Sequence, residues 1–91
     1  MNANENFLTA IKERLIFLRE QKFSTPTEFG NVANVNERRN ESYQSDYRIT
    51  TIARSVIALD VEMGELITRE MLKKYAEDLD EEERQREENE R

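Results

Sequence analysis

Apolar residues recur every three or four positions along most of the chain, which is the period of an α-helix. The first stripe consists of Phe7, Ile11, Leu15 and Leu18, with Leu8 beside it. This stripe predicts a helix from Asn4 or Glu5 to Gln21. Phe17 falls outside the stripe, so either the helix is buried on two sides or Phe17 belongs to an interface.

The clearest helix start is the run Thr-Pro-Thr-Glu at residues 25–28. A hydroxyl at the N-cap, proline at the first helical position and glutamate at the third form the pattern of a capping box. The pattern predicts a second helix that ends at Ala33, with Phe23 packed against it as a staple residue. Gly30 is unfavourable there by about 1 kcal/mol relative to alanine, so we expect a neighbouring helix to approach closely.

The run Asn-Val-Asn at residues 34–36 ends the second helix. Asparagine tolerates the left-handed conformation that closes a helix, and it also caps the next helix well. A third helix is predicted from Glu37 to about Gln44. Because its side chains are almost all polar, we expect it to lie on the surface, held by Val35 and Tyr43.

Two further helices complete the pattern. The apolar face of the fourth, at about residues 49–59, consists of Ile52, Ala53, Val56, Ile57 and Leu59. A fifth helix begins near Glu62, and Leu79 is its last apolar residue. The polar residues that follow are expected to extend this helix, which frays progressively towards its end. The pattern therefore predicts an all-α domain.

Charge is distributed unevenly along the 91 residues. The formal net charge is −6; residues 1–76 hold eleven acidic and eleven basic side chains, whereas residues 77–91 hold nine and three. We therefore divide the chain into a domain at 1–76 and an acidic, charged extension at 77–91. A balanced domain supports nucleic-acid binding only weakly, so the local arrangement of its cations must decide.

Composition excludes several kinds of chemistry. Without cysteine there is no disulfide or thiolate metal site, and without histidine the usual general base and the commonest zinc ligand are missing. No nucleophile–base pair or glycine-rich phosphate loop is present, so we predict no enzyme, no cofactor and no metal. No apolar run reaches the length of a bilayer and no signal-peptide pattern opens the chain, so we expect a cytoplasmic protein.

Several segments together resemble the lambda-repressor (XRE or Cro) type of helix-turn-helix domain. They are RLIFLRE at 14–20, TPTEFG at 25–30, VANVN at 32–36, IARSVIALDV at 52–61 and GEL at 64–66. The resemblance spans about residues 12–67 and implies a five-helix lambda-repressor-like bundle within residues 1–76. The chain departs from the family pattern at Pro26, where the family has glutamine, and at Asn34, where it has glycine. The connection after the third helix is also about three residues shorter.

The resemblance implies that the third helix is a recognition helix, which lies in the major groove of DNA. Arg38 and Arg39 would then bind guanine or phosphate, and Asn40 or Gln44 would pair with adenine. The alternative is an ordinary solvated helix face, because Glu37 and Glu41 flank the arginines and can neutralise them within the helix.

Phosphate contacts are implied on either side of the recognition helix. Thr25 and Thr27, with the backbone N–H groups that open the second helix, would bind one phosphate, although capping alone also explains these residues. Tyr47 and Arg48, in the connection to the fourth helix, would contact the sugar-phosphate backbone, with Arg48 the stronger candidate.

The last helix carries a second candidate site. Leu72, Tyr75 or Ala76, and Leu79 keep a coiled-coil-like spacing and would pair with the same helix of another copy in a homodimer. Alternatively they close the core of the monomer. The acidic extension either repels DNA to raise selectivity, binds a basic partner protein, or keeps the chain soluble.

Two functions follow. The first is a small repressor-like transcription regulator that binds duplex DNA through the helix at about 37–44. The alternative is the same scaffold acting as an adaptor or antagonist of another protein, without DNA binding. The cations that would form a positive face are Arg38, Arg39, Arg48 and Lys22. Their exposure favours the regulator, whereas their pairing with Glu37 and Glu41 favours the adaptor.

Overall fold

A computed structural model of the chain describes residues 2–42 and 47–90, and within these residues the fold is all-helical with no strand. The helices are α1 (Ala3–Lys22), α2 (Pro26–Ala33), α3 (Glu37–Ser42), α4 (Ile49–Leu59), α5 (Met63–Leu66) and α6 (Arg69–Asn89). The predicted all-α class is confirmed. The described part nevertheless holds six helices rather than five, because the last predicted helix is divided in two.

Side-chain caps begin the first two helices. Oδ1 of Asn2 accepts a hydrogen bond from the N–H of Glu5 at 2.8 Å, and Oγ1 of Thr25 accepts one from the N–H of Glu28 at 3.1 Å. The predicted capping box at α2 is only half formed. The Glu28 carboxylate accepts a hydrogen bond from the hydroxyl of Ser24 at 2.9 Å instead of completing the box.

The hydrophobic core lies where α1, α2, α4 and α5 meet. Its buried members are Leu15, Phe29, Ala33, Ile52, Leu59 and Leu66. Phe23 packs edge-on against Phe29 with 5.2 Å between the ring centroids, which confirms the predicted staple contact. These side chains come from four different helices, and their burial holds the short helices α2 and α5 in place.

The buried face of α4 is narrower than its apolar residues predict. Ile52 and Leu59 are buried, but Ile57 is 77 % exposed, so its predicted place on the buried face is wrong. Ser55 is buried instead, and its hydroxyl donates to the carbonyl of Thr51 at 2.8 Å, which satisfies the polar group inside the helix.

A cap at Thr68 divides the last predicted helix. Oγ1 of Thr68 accepts a hydrogen bond from the N–H of Met71 at 3.2 Å, so α6 begins here as a new helix. Leu66, at the end of α5, is fully buried in the core. The break lets α5 insert this leucine while α6 turns to run along α1.

α6 runs antiparallel to α1. Asn6 donates to the carboxylate of Asp78 at 3.4 Å, and the N–H of Ala3 donates to the carboxylate of Glu82, so positions late in α6 meet positions early in α1. From residue 83 to residue 90 every side chain is exposed, and the helix continues as far as Asn89. The acidic extension is thus helical as far as Asn89. None of the described helices is long and apolar enough to cross a membrane.

Candidate nucleic-acid interface

A three-residue turn joins α2 to α3. Asn34 adopts the left-handed conformation with φ 58° and ψ 49°, as predicted for the end of α2. The N–H of Val35 donates to the carbonyl of Gly30 at 3.0 Å, which folds the turn back onto α2. Oδ1 of Asn36 then accepts from the N–H of Arg39 at 3.2 Å and caps α3, so both predicted roles of asparagine are confirmed.

Gly30 is required by this turn. A Cβ atom at Gly30 would lie 2.6 Å from the carbonyl oxygen of Val35 and 3.4 Å from the backbone nitrogen of Glu37. Close approach was predicted here, but the partner is the backbone of the turn and the first residue of α3 rather than the body of a neighbouring helix. Glycine therefore allows α3 to start directly against α2.

The carboxyl group of Glu37 is buried beneath α3. Glu37 is 1 % exposed, and neither carboxyl oxygen accepts a hydrogen bond from any part of the chain described. Burial, and after it the neighbouring Glu41, raise the pKa of Glu37 to about 8 against the opposing effects of Asn40 and Arg19. At neutral pH Glu37 is thus mostly protonated and uncharged.

Glu41 also points inward, where it meets a cation from α1. Nη2 of Arg19 lies 2.8 Å from Oε1 of Glu41, and Nε of Arg19 donates to Oε2 at 3.0 Å. Arg19 donates further to the carbonyls of Phe23 and Ser24, so its planar group joins three segments of the chain. Sequence reasoning missed this pair because 22 positions separate its members.

These contacts correct the interpretation of α3. Glu37 and Glu41 were expected beside the arginines on the surface, where they would neutralise them. They instead occupy the inner face of the helix, one turn apart, and one of them is paired with Arg19. Arg38 and Arg39 are both exposed on the outer face. The acidic residues of α3 therefore lie away from the surface that its arginines form.

The other candidate DNA contacts differ in how accessible they are. Thr25, Thr27 and Arg48 are exposed, and Thr25 is already engaged as the N-cap of α2. Asn40 is half-buried, and its carbonyl accepts a hydrogen bond from the hydroxyl of Tyr47 at 3.2 Å. Gln44, together with the predicted anchor Tyr43, lies outside the described residues.

The set of cations near the turn differs from the predicted one at two residues. Nζ of Lys22 donates to the carbonyl of Leu59 at 3.2 Å, so Lys22 serves the end of α4 rather than the positive face. Arg54 is exposed and donates to the carbonyl of Asn34 at 3.4 Å, which brings it beside the turn. Sequence reasoning missed Arg54, since its helical position alone gives no sign that α4 packs against α2.

The exposed charge of α2, α3 and the first half of α4 is predominantly positive. Among the described residues from 25 to 54, the exposed basic side chains are Arg38, Arg39, Arg48 and Arg54. Glu28 is the one exposed acidic side chain in the same set. An open polar cleft of about 630 Å³ adjoins Arg38 and is lined by Thr27, Asn31, Asn34, Asn36 and Arg38, among others. The surface thus combines cations with hydrogen-bonding groups, which phosphates and base edges require.

The acidic end of α6 lies far from this face. Glu82 contacts Ala3 at the start of α1, whereas Arg19, which holds α3, lies sixteen positions further along the same helix. At a rise of about 1.5 Å per residue, the two ends are roughly 24 Å apart along α1. This exceeds the screening length of about 8 Å at physiological ionic strength, so the acidic end weakens the field at the arginines only slightly.

The structure separates the three candidate dimer residues. Leu72 is 50 % exposed and Leu79 is 42 % exposed. Tyr75 instead stacks on Phe7 of α1 with ring centroids 4.4 Å apart, and its hydroxyl hydrogen-bonds Oδ1 of Asn4 at 2.6 Å. Tyr75 therefore packs against α1 within the monomer, as the alternative expected, whereas Leu72 and Leu79 are exposed.

No cluster of three or more metal-binding side chains occurs among the described residues. Comparison of the chain with models of known protein families, with curated proteins and with solved structures gives no match.

Proposed function

We propose that this chain is a small transcription regulator of the repressor type, which binds duplex DNA through α3. The observation that carries the proposal is the inward turn of Glu37 and Glu41, which leaves Arg38 and Arg39 as the charged groups on the outer face of α3. The sequence resemblance to XRE-type domains supports the same assignment, as does the short turn between two helices.

In this proposal α3 enters the major groove with Arg38 and Arg39 against guanines or phosphates. Arg48 and Arg54 bind backbone phosphates on the two sides of the groove, and the start of α2 at Thr27 offers backbone N–H groups to a third. Each arginine–phosphate contact releases condensed counterions, so affinity falls as salt rises. The protein represses by occupying promoter DNA.

The test is a titration with random-sequence duplex DNA at several salt concentrations. We expect a non-specific dissociation constant of about 10⁻⁴ to 10⁻⁶ M near physiological salt. The slope of log affinity against log salt should fall in magnitude by about 2 in the double variant Arg38→Ala/Arg39→Ala, because two phosphate contacts are lost. Circular dichroism should show an unchanged fold, since both side chains are exposed.

The matched control is Arg84→Ala/Arg86→Ala, which removes the same charge from the exposed end of α6. We expect this variant to keep the salt slope of the wild-type chain. Equal loss in both double variants would show that only net charge matters and would contradict an interface on α3. A flat titration of the wild-type chain would overturn DNA binding and favour the adaptor hypothesis.

A further inference from the structure

The outer face of α6 carries a stripe of five residues, with alanine at its centre, a leucine on each side of the alanine, and opposite charges at the two ends. It consists of Arg69, Leu72, Ala76, Leu79 and Glu83, which are spaced alternately three and four positions apart. All five side chains are exposed, whereas Met71, Tyr75 and Asp78 turn towards α1. The stripe is therefore distinct from the face that closes the monomer, and its spacing is that of a helix–helix seam.

We propose that this stripe pairs two copies of the chain through antiparallel α6 helices. Reversal of one helix about Ala76 places Arg69 opposite Glu83 of the other copy, and it brings Leu72 next to Leu79 of that copy, offset by one residue or about 1.5 Å along the axis. Ala76 then faces its own equivalent, where its small side chain allows the helix axes to approach closely. Because a two-fold axis repeats each contact, the dimer contains two leucine pairs and two ion pairs.

Charge decides between this arrangement and parallel pairing. Parallel helices would place Arg69 opposite Arg69 and Glu83 opposite Glu83, which repel each other. The same asymmetry extends along the whole helix: residues 69–76 hold three basic side chains and one acidic, whereas residues 77–90 hold nine acidic and two basic. Antiparallel pairing therefore brings the basic start of each α6 alongside the acidic end of the other.

Pairing also gives the projecting end of α6 a neighbour. From residue 83 onward the helix contacts nothing that buries a side chain in the monomer. In the antiparallel dimer these residues lie beside α5 and the start of α6 of the other copy. Two leucines per copy make a small apolar seam, and seams of this size bind weakly. The dimer should therefore form at high protein concentration.

Cysteine cross-linking tests the register, since the chain has no cysteine of its own. We expect Ala76→Cys to form a disulfide-linked dimer under mild oxidation, because the two positions meet at the symmetry axis. Glu77→Cys is the matched control: it is exposed and adjacent but lies to one side of the stripe, so it should cross-link at least tenfold more slowly. Equal rates for the two variants would overturn the proposed register.

Charge exchange tests the direction of pairing by sedimentation equilibrium without DNA, from about 10 µM to about 1 mM protein. We expect Arg69→Glu alone, and Glu83→Arg alone, to weaken the dimer about tenfold, because each places like charges together at two sites. The double variant Arg69→Glu/Glu83→Arg should recover the wild-type dissociation constant. In a parallel dimer neither single variant would change the like-charge contacts.

Failure to recover association in the double exchange variant would overturn antiparallel pairing, and a wild-type chain that stays monomeric at about 1 mM would overturn self-association altogether. Neither result bears on α3, because these measurements contain no DNA. The proposed function and the proposed dimer can therefore fail separately.

Discussion

α3 and the projecting end of α6 are both short, strongly charged helical segments, yet they use their charges in opposite ways. In α3 the two glutamates lie on the inner face, where Glu37 is buried without a hydrogen-bonding partner among the described residues and Glu41 is paired with Arg19. At residues 83–90 every side chain is exposed. The neighbouring helices, not the residue types, therefore decide what a charged segment contributes.

The glutamates of the two segments differ in how much hydration free energy they lose when the chain folds. A solvated glutamate on a free helix changes stability little, because water screens it and competes for its hydrogen bonds. A glutamate held under α3 loses its hydration, so it must be neutralised by a proton or by a cation. Glu37 takes the first course and Glu41 the second. In both cases the glutamate lies inside, so Arg38 and Arg39 are the charged side chains on the outer face of α3.

The largest predicted effect is at the ion pair under α3. Arg19→Ala should lower the free energy of unfolding by about 3–5 kcal/mol, because it leaves the Glu41 carboxylate buried without its cation. Denaturant titration followed by circular dichroism measures the change. The double variant Arg19→Met/Glu41→Leu should recover much of the loss, since it removes both charges and keeps apolar volume. A single variant as stable as the wild type would contradict the burial of this pair.

A smaller effect is predicted for Glu37→Gln, and it depends on pH. The unfolded carboxyl group loses its proton near pH 4.5, whereas the folded one keeps it until about pH 8. Between these values the folded chain binds the extra proton, so the Glu37 contribution is full below pH 4.5 and falls with rising pH by up to about 1.4 kcal/mol per unit. Arg19, Glu41 and Tyr47 are the charged and titratable groups around it.

The glutamine variant removes this dependence. We expect its stability relative to the wild type to grow steadily from pH 5 to pH 8 and to reach at least about 2 kcal/mol. Thermal or urea unfolding at each pH gives the difference directly. Glu83→Gln, on the exposed end of α6, is the matched control and should show a difference that stays near zero throughout. A parallel pH profile for Glu37→Gln and the wild type would contradict the raised pKa.

The smallest effect is predicted at the end of α6. Arg84 lies 2.6 Å from Glu81 one turn earlier, but both side chains are more than half exposed. Arg84→Ala should therefore change the free energy of unfolding by no more than about 0.5 kcal/mol at micromolar protein concentration. A loss above about 1 kcal/mol would mean that this end packs against the body of the chain.

Much of the helical framework follows from periodicity and capping. The bounds of α2 are predicted by Thr25 and Asn34, whose roles depend only on residues within one turn of them. The break at Thr68 was missed because the apolar spacing continues across it, although the threonine was itself a possible cap. Ile57 was misplaced because an apolar residue on a helix need not face the core.

That Glu37 and Glu41 lie on the inner face of α3 could not be predicted from the sequence, for a different reason. Hydropathy places glutamate in solvent, and the spacing of Glu37 and Glu41 shows only that they share a face. Which face it is depends on Arg19 in α1 and on the close approach that Gly30 permits. Both are tertiary contacts between residues distant in the chain. The arginines, by contrast, could be named in advance because their exposure is what a polar helix normally gives.

The most direct measurement is a pH titration of the Glu37 side-chain carboxyl carbon by NMR, made on the folded chain and on the chain unfolded in urea. We predict that the Glu37 resonance of the folded chain moves with a midpoint near pH 8, far above the value near 4.5 expected in the unfolded chain. A midpoint near pH 4.5 for Glu37 would show that its carboxylate is hydrated and charged at neutral pH. It would then lie beside the arginines, and the positive outer face of α3 would not exist.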